Sequence, residues 1–424
     1  MLRSLRHRNF QLFFAGQLIS LIGTWMQNVA QSWLVYRLTG SAVLLGVIGF
    51  ANQIPVFLIA PIGGAVADRY KRQHIVICTQ TVSMLLAFVL GWLTLAGRIQ
   101  VWQIGVLAAA LGVVNAFDIP ARQSFIVEMV GREDLPNAIA LNSSMFNGAR
   151  IIGPAIAGVL VAVIGEGWCF MANAISYIAV IVGLFLMHVP RNLQKPVGSA
   201  IERIREGFQY VGRTLPIRNI LFLLGTVSLL GMPFAVLMPI FADRILHGGA
   251  KGLGILMGGS GVGACAGALT LAARGGIKGL GRWVMLSCAG FGVFLTLFSL
   301  SRIFWLSVAL LVPVGYCMMV QMASSNTLIQ TFSPDYIRGR VMAVYSMMFM
   351  GMAPLGSLLA GSLAHRLGAD NVVLGSGIAC VIAAAIFGRG LPRLRVEARK
   401  LIVAEEMVGG DPVQEMSGTG IETE

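Results

Sequence analysis

AIALNSSMFNGARIIGPAIAG, residues 138–158, aligns without a gap on VMAVYSMMFMGMAPLGSLLAG, residues 341–361, when the chain is slid along itself by 203 positions. Ala140 meets Ala343, Ser143 meets Ser346, Phe146 meets Phe349, Gly148 meets Gly351, Gly153 meets Gly356, and Ala157-Gly158 meets Ala360-Gly361. Each copy lies in an apolar, glycine-rich stretch long enough to cross a hydrocarbon core of about 30 Å. A membrane-crossing stretch that recurs half a chain later implies two similar halves, the plan of transporters that rock about a central site.

The rest of the chain fits that plan. Of its 424 residues 56% are hydrophobic and 12% charged, with a mean hydropathy of +0.79, far above a water-soluble domain of this length. Apolar runs of membrane-crossing length recur twelve times, at 10–36, 43–66, 74–96, 102–126, 137–164, 168–188, 217–243, 252–273, 283–300, 304–331, 340–366 and 370–389. The fifth run thus corresponds to the eleventh. The predicted fold is an all-α membrane protein with twelve transmembrane helices in two pseudo-symmetric six-helix bundles, 1–188 and 217–389. Between them, 189–216 is a linker whose IERIREGFQYVGR segment is amphipathic and basic, suited to the cytoplasmic leaflet. From about Leu401 the composition turns acidic and glycine-rich, and 390–424 is expected to form a disordered cytoplasmic tail.

Lysine and arginine set the orientation, because cytoplasmic loops retain them. With the N-terminus inside, 24 of the 31 fall on the cytoplasmic side, six fall outside and Arg150 lies within a span. Both termini are therefore expected in the cytoplasm. The same bias accounts for the net charge of +13 and removes any need for a nucleic-acid partner. The basic MLRSLRHRNF start is followed by a span too long for a cleaved signal, so it is read as retained. Six cysteines stand singly, with no metal or disulfide spacing. His7, His74, His188, His247 and His365 stand apart, which argues against an enzyme, and no phosphate-binding lysine loop suggests a nucleotide-driven pump. No cofactor and no metal are expected.

Polar residues inside spans carry the chemistry. Arg150 lies about 20 Å along a helix of about 40 Å, at mid-bilayer. Ser143, Asn147, Arg150 and Pro154 share one face, while Ala149, Gly153 and Ala157 form a small-residue stripe beside it for close helix packing. Pro154 cannot bond the carbonyl of Arg150, which weakens the helix there. Two readings stand: Arg150 faces an aqueous cavity and attracts an anionic group, or it is structural, satisfied by carbonyls and an acid across the interface. Gln17, Ser20, Thr24, Gln27 and Gln31 form a polar stripe about 21 Å long on the first span, with Asn28 beside it. That stripe lines the cavity or bonds another helix. Gln321 and Ser325 are expected to contribute from the second half. Asp118, with Asn115 and Arg122 on its face, is the acid lying well inside a span, either as a protonatable coupling group or as part of a cytoplasmic gate. Trp25, Trp33, Tyr36, Phe50 and Phe57 could supply an aromatic wall.

The loop reading GGAVADRYKRQ, with Gly64, Asp68, Arg69, Lys71 and Arg72, resembles the signature of the major facilitator superfamily. GPAIAG, with Gly153, Pro154 and Gly158, resembles the antiporter motif of its exporter branch. DIPARQSFIVEMV and the repeat copy after it are similar to the subgroup containing the enterobactin exporter and macrolide-efflux proteins. The resemblance spans about residues 8–390 and implies a proton-coupled exporter of a bulky amphiphilic compound such as a siderophore or antibiotic. The alternative is an importer or facilitator of a small organic anion. It implies a monomer in a bacterial inner membrane, with lipid, protons and a small-molecule substrate as partners. It further implies that Asp68, Arg69 and Arg72 form a gate in which Asp68 docks near Gly339 and Arg340. Residues 264–282 contain no acid, so the second half has no counterpart of Asp68.

Overall fold

The structure, a computed structural model, describes residues 3–131, 133–187, 200–274, 276 and 279–409. Every regular element among them is helical. Six helices build the first half: α1 (Arg8–Thr39), α2 (Ala42–Arg69), α3 (Arg72–Leu95), α4 (Val101–Val130), α5 (Leu135–Ile164) and α6 (Glu166–Phe185). Six build the second: α7 (Leu215–Ile245), α8 (Gly249–Arg274), α9 (Leu280–Leu300), α10 (Phe304–Thr331), α11 (Asp335–Leu367) and α12 (Ala369–Gly409). A linker helix, Ala200–Arg213, lies between them. His188 and residues 189–199 of the expected linker lie outside the described residues, as do residues 410–424 of the expected tail.

Local sequence sets the ends of these helices. Gly40, at φ +61°, closes α1 by donating its N–H to the Tyr36 carbonyl, and the Ser41 hydroxyl caps α2 by accepting from Leu44 N–H. Among the described residues eleven helices are long and apolar enough to cross a membrane. The remaining member of the twelve, α1, has 32 residues but is diluted by its glutamines. In α7 two wider turns, Val227–Gly231 and Phe241–Ile245, interrupt the α-helix around Pro233 and Pro239, which lack the amide hydrogens a regular ladder uses. The expected tail boundary at 390 falls inside α12, which continues to Gly409. Its LRVEARKL stretch consists mainly of good helix formers, and these carry the helix beyond the last apolar run.

Within each half short connections make successive helices antiparallel, so the described start of α1 and the described end of α12 lie at one end of the bundle, the terminal end. Within each half the neighbours correspond: α1 on α6 and α7 on α12, α2 on α4 and α8 on α10, α3 on α6 and α9 on α12. Between halves, α5 packs on α8 and α2 on α11. Glycine makes both contacts possible. A Cβ on Gly158 of α5 would lie 2.9 Å from the Cα of Gly254 in α8, and one on Gly361 of α11 would lie 2.9 Å from the Cα of Gly46 in α2. Both pairs sit toward the end away from the termini. The outer faces carry large apolar residues, such as Val163 and Phe222, each 75% exposed, which are surfaces for lipid.

Candidate functional site: a cavity between the halves

A cavity of about 460 Å³ lies where the halves meet. Trp25 of α1, Asn52 and Gln53 of α2, Asn115 of α4, and Arg150 and Pro154 of α5 line it from the first half. Met232, Phe234 and Met238 of α7, Met257 of α8, Met318 of α10, and Phe349 and Met350 of α11 face them. Among the lining residues Arg150 carries the one charge. Its guanidinium lies 5.7 Å from the centroid of the Trp25 ring, and its Nη2 lies 4.0 Å from the Met318 sulfur. The indole face offsets part of the cost of a mid-membrane cation. Among the described residues no carboxylate and no carbonyl bonds it, so the structural reading, with an acid across the interface, does not hold.

The glycines and proline around Arg150 place it. Gly153 packs on the backbone of α1, where a Cβ would meet Ile22 O at 2.9 Å, and Gly158 packs on α8. Pro154 leaves the Arg150 carbonyl without its ladder donor, and Gly261 of α8 closes on that same oxygen, where a Cβ would come within 2.9 Å. The helix is thus held close on two sides while Arg150 and Pro154 line the cavity.

Other expected cavity residues lie elsewhere. Asn147 is buried, with its amide donating to the Ser143 carbonyl at 2.9 Å, and Ser143 is exposed outside the cavity lining. The α1 stripe turns toward α6 rather than the cavity. Gln27 Oε1 accepts from Asn173 Nδ2 at 2.7 Å, Thr24 donates to the Ser20 carbonyl, and Gln17, Ser20 and Gln31 are buried. Asn28 is exposed and not part of the lining. A 3.6-residue period finds the polar face of a helix but not the neighbour that face meets. Gln321 and Ser325 are also corrected: both are shut inside the second half. Of the aromatic candidates, Trp25 lines the cavity, whereas Trp33 and Tyr36 pack on each other with ring centroids 5.6 Å apart.

The gate residues separate into two groups. Asp118 accepts from Thr79 Oγ1 at 2.8 Å and Gln80 Nε2 at 3.0 Å, both on α3, and pairs with Arg122 at 3.2 Å. It is fully bonded inside the first half and touches neither Asp68 nor Arg69. Arg72 bridges α3 to Glu128 of α4 at 2.7 Å and lies 3.8 Å from Asp68. Asp68 is half-exposed and does not dock on α11; Arg340 pairs instead with Glu206 of the linker helix. Gly64 has open space where a Cβ would stand, and so does Gly339. The close approach belongs to Gly63, which packs against Ala116 of α4. At the terminal end Asp68 therefore makes no contact between the halves.

The far end is closed by residues that sequence reasoning missed. The Tyr36 hydroxyl of α1 donates to Asp243 of α7 at 2.8 Å. Arg244 lies 5.8 Å over the Tyr36 ring and donates to the Gly40 carbonyl at 3.2 Å. The signal was present: a 207-residue shift puts Tyr36-Arg37 on Asp243-Arg244. In the first half Arg37 is taken by Glu166 at 2.7 Å; in the second, Asp370 pairs with Arg302 at 2.8 Å and leaves Arg244 for the opposite half.

The family described as transmembrane secretion effector matches residues 1–415. The chain is 26% identical over 385 residues to the staphyloferrin A transporter of Staphylococcus aureus, covering 88% of this chain and 94% of that one. It is 26% identical over 387 residues to the multidrug efflux pump Tap of Mycolicibacterium fortuitum, covering 88% and 93%. With the enterobactin exporter EntS of Escherichia coli O1:K1 it shares 25% over 400 residues, 93% of each chain. Its fold resembles the crystal structure of the nucleoside transporter NupG, with a TM-score of 0.71, 15% identity, and 92% of this chain and 99% of that one covered. It also resembles an inward-facing, unoccupied bacterial homologue of the lysosomal transporter Spinster, with a TM-score of 0.65, 14% identity, and 94% and 98% covered. The chain is a multi-pass membrane transporter of small molecules, not an enzyme, and belongs to the transmembrane secretion effector family of the major facilitator superfamily.

Proposed function

We propose that the protein is a secondary active exporter that uses a proton gradient to move a bulky, amphiphilic organic compound, such as a siderophore or an antibiotic, out of the cell. The observation that carries this reading is Arg150, an unpaired cation in an inter-half cavity with methionines on the facing wall. A cation there attracts an anionic group, and flexible thioethers accept apolar bodies of varied shape. The three curated relatives named above, two siderophore transporters and an efflux pump, support the substrate class.

With both termini in the cytoplasm of a bacterial inner membrane, the terminal end opens inward, as an exporter requires for loading, and the Tyr36–Asp243 end is the exit. Transport then alternates these two closures as a monomer in lipid. Asp118 is the acid assigned to the proton. Its protonation would remove the charge that ties α4 to Thr79 and Gln80 of α3 and that pairs with Arg122 on α4 itself. The test is a panel of siderophores and amphiphilic antibiotics offered to inverted vesicles with and without a pH gradient, acid inside. Gradient-dependent uptake is expected. Flux in the other direction under the same gradient replaces the exporter with an importer.

A further inference from the structure

Three polar side chains of α10 are sealed from solvent yet have no hydrogen-bond partner. Gln321 is 1% exposed, Ser324 and Ser325 are 0% exposed, and both amide atoms and both hydroxyls are unpaired. A hydroxyl on a helix can satisfy itself by donating to the carbonyl four residues back. Thr327 and Thr331 on the same helix do so, at 3.0 and 2.9 Å. Ser324 and Ser325 do not, so their hydroxyls are aimed into the bundle.

The 203-residue repeat shows what stands at this place in the other half. Gln321 corresponds to Asp118 and Ser325 to Arg122. There Asp118 is bonded directly to Thr79, Gln80 and Arg122, and within that cluster Gln80 Oε1 is left without a partner. The second copy keeps polar positions but has lost the direct bonds. Leaving a buried donor or acceptor unpaired is costly, and buried polar groups in folded proteins are ordinarily bonded.

Whatever satisfies these atoms must both donate and accept, because Gln321 offers a donor at Nε2 and an acceptor at Oε1. A metal cation serves acceptors alone and would lack the carboxylate that Gln321 replaces. An anion serves donors alone. Water does both. We propose that Gln321, Ser324 and Ser325 bind ordered water molecules, forming a buried hydrated site in the second half where the first half has its ion pair. Met318, three residues before Gln321 on the same face of α10, lines the cavity against Arg150, so the site lies about one helical turn behind the cavity wall. Direct bonds hold α4 to α3, whereas bonds through water re-form as a helix shifts, which leaves α10 the more mobile of the two.

Ser324→Ala and Ser325→Ala each remove one hydroxyl from the full chain in detergent. If water is bound, each variant loses bonds and Tm falls by about 2 °C. If the site is dry, deleting an unpaired hydroxyl leaves Tm unchanged or raises it. A fall in both variants, together with water density within hydrogen-bonding distance of Gln321 in an experimental structure, supports the proposal. An unchanged or raised Tm in either variant, or a site seen at high resolution to be dry, overturns it.

Discussion

To the cavity the first half presents Arg150, Asn52, Gln53, Asn115 and the Trp25 ring, and the second presents five methionines with Phe234 and Phe349. The halves share a backbone plan down to the glycine contacts, yet Arg150 corresponds to Ala353 and Asp118 to Gln321. Packing symmetry therefore demands neither charge. Inside the membrane the first half carries Arg150 and the Asp118–Arg122 pair, where the second has Ala353, Gln321 and Ser325. In the proposed function, the first half orients the ligand and the second accommodates its body.

Removing the orienting charge breaks the comparison most severely. Arg150→Gln should lower transport on the order of a hundredfold, the value of a charge-assisted bond, while the protein stays folded in the membrane; unchanged efflux would retire the binding role. Asp118→Asn should abolish gradient-driven accumulation and leave substrate exchange intact. Loss of exchange as well would mean that the Thr79–Gln80–Arg122 network serves the fold rather than the coupling. Gly361→Val puts a side chain 2.6 Å from the Ala42 carbonyl, where no backbone can give way. At about 1–3 kcal/mol of overpacking, it should favour a far end that is open by about tenfold, read as labelling from outside of a cysteine placed at Ser357 in the cavity. Tyr36→Phe removes one hydrogen bond to Asp243, net about 1 kcal/mol, and should raise that labelling roughly fivefold. A Tyr36→Phe protein that labels as slowly as the parent would show that the glycine contacts alone close that end.

The fold was legible because hydropathy and a gap-free repeat report it directly. Arg150 stood out because a charge in a mid-membrane span is costly, and the structure places it on the cavity wall. The remainder of the site was less legible for physical reasons. The α1 glutamines show the right period, but periodicity is silent about partners: Gln27 meets Asn173 of α6, and Gln17 and Gln31 are buried. The methionine wall leaves no mark in a pattern of apolar residues. Asp118 finds its donors on α3, far away in sequence, and the Asp68 contact expected from the resemblance is not made, since Asp68 lies beside Arg72 of its own half and Arg340 pairs with Glu206. Tyr36 and Asp243 lie at helix ends, where loop charges resemble topology signals.

The paired glycines have a mechanical corollary. Gly158 with Gly254, and Gly46 with Gly361, are two points of backbone contact related by the same internal symmetry. Because both pairs sit toward the end away from the termini, a tilt of one half against the other that widens that end has to separate them, whereas a tilt that narrows the terminal end can leave them in place.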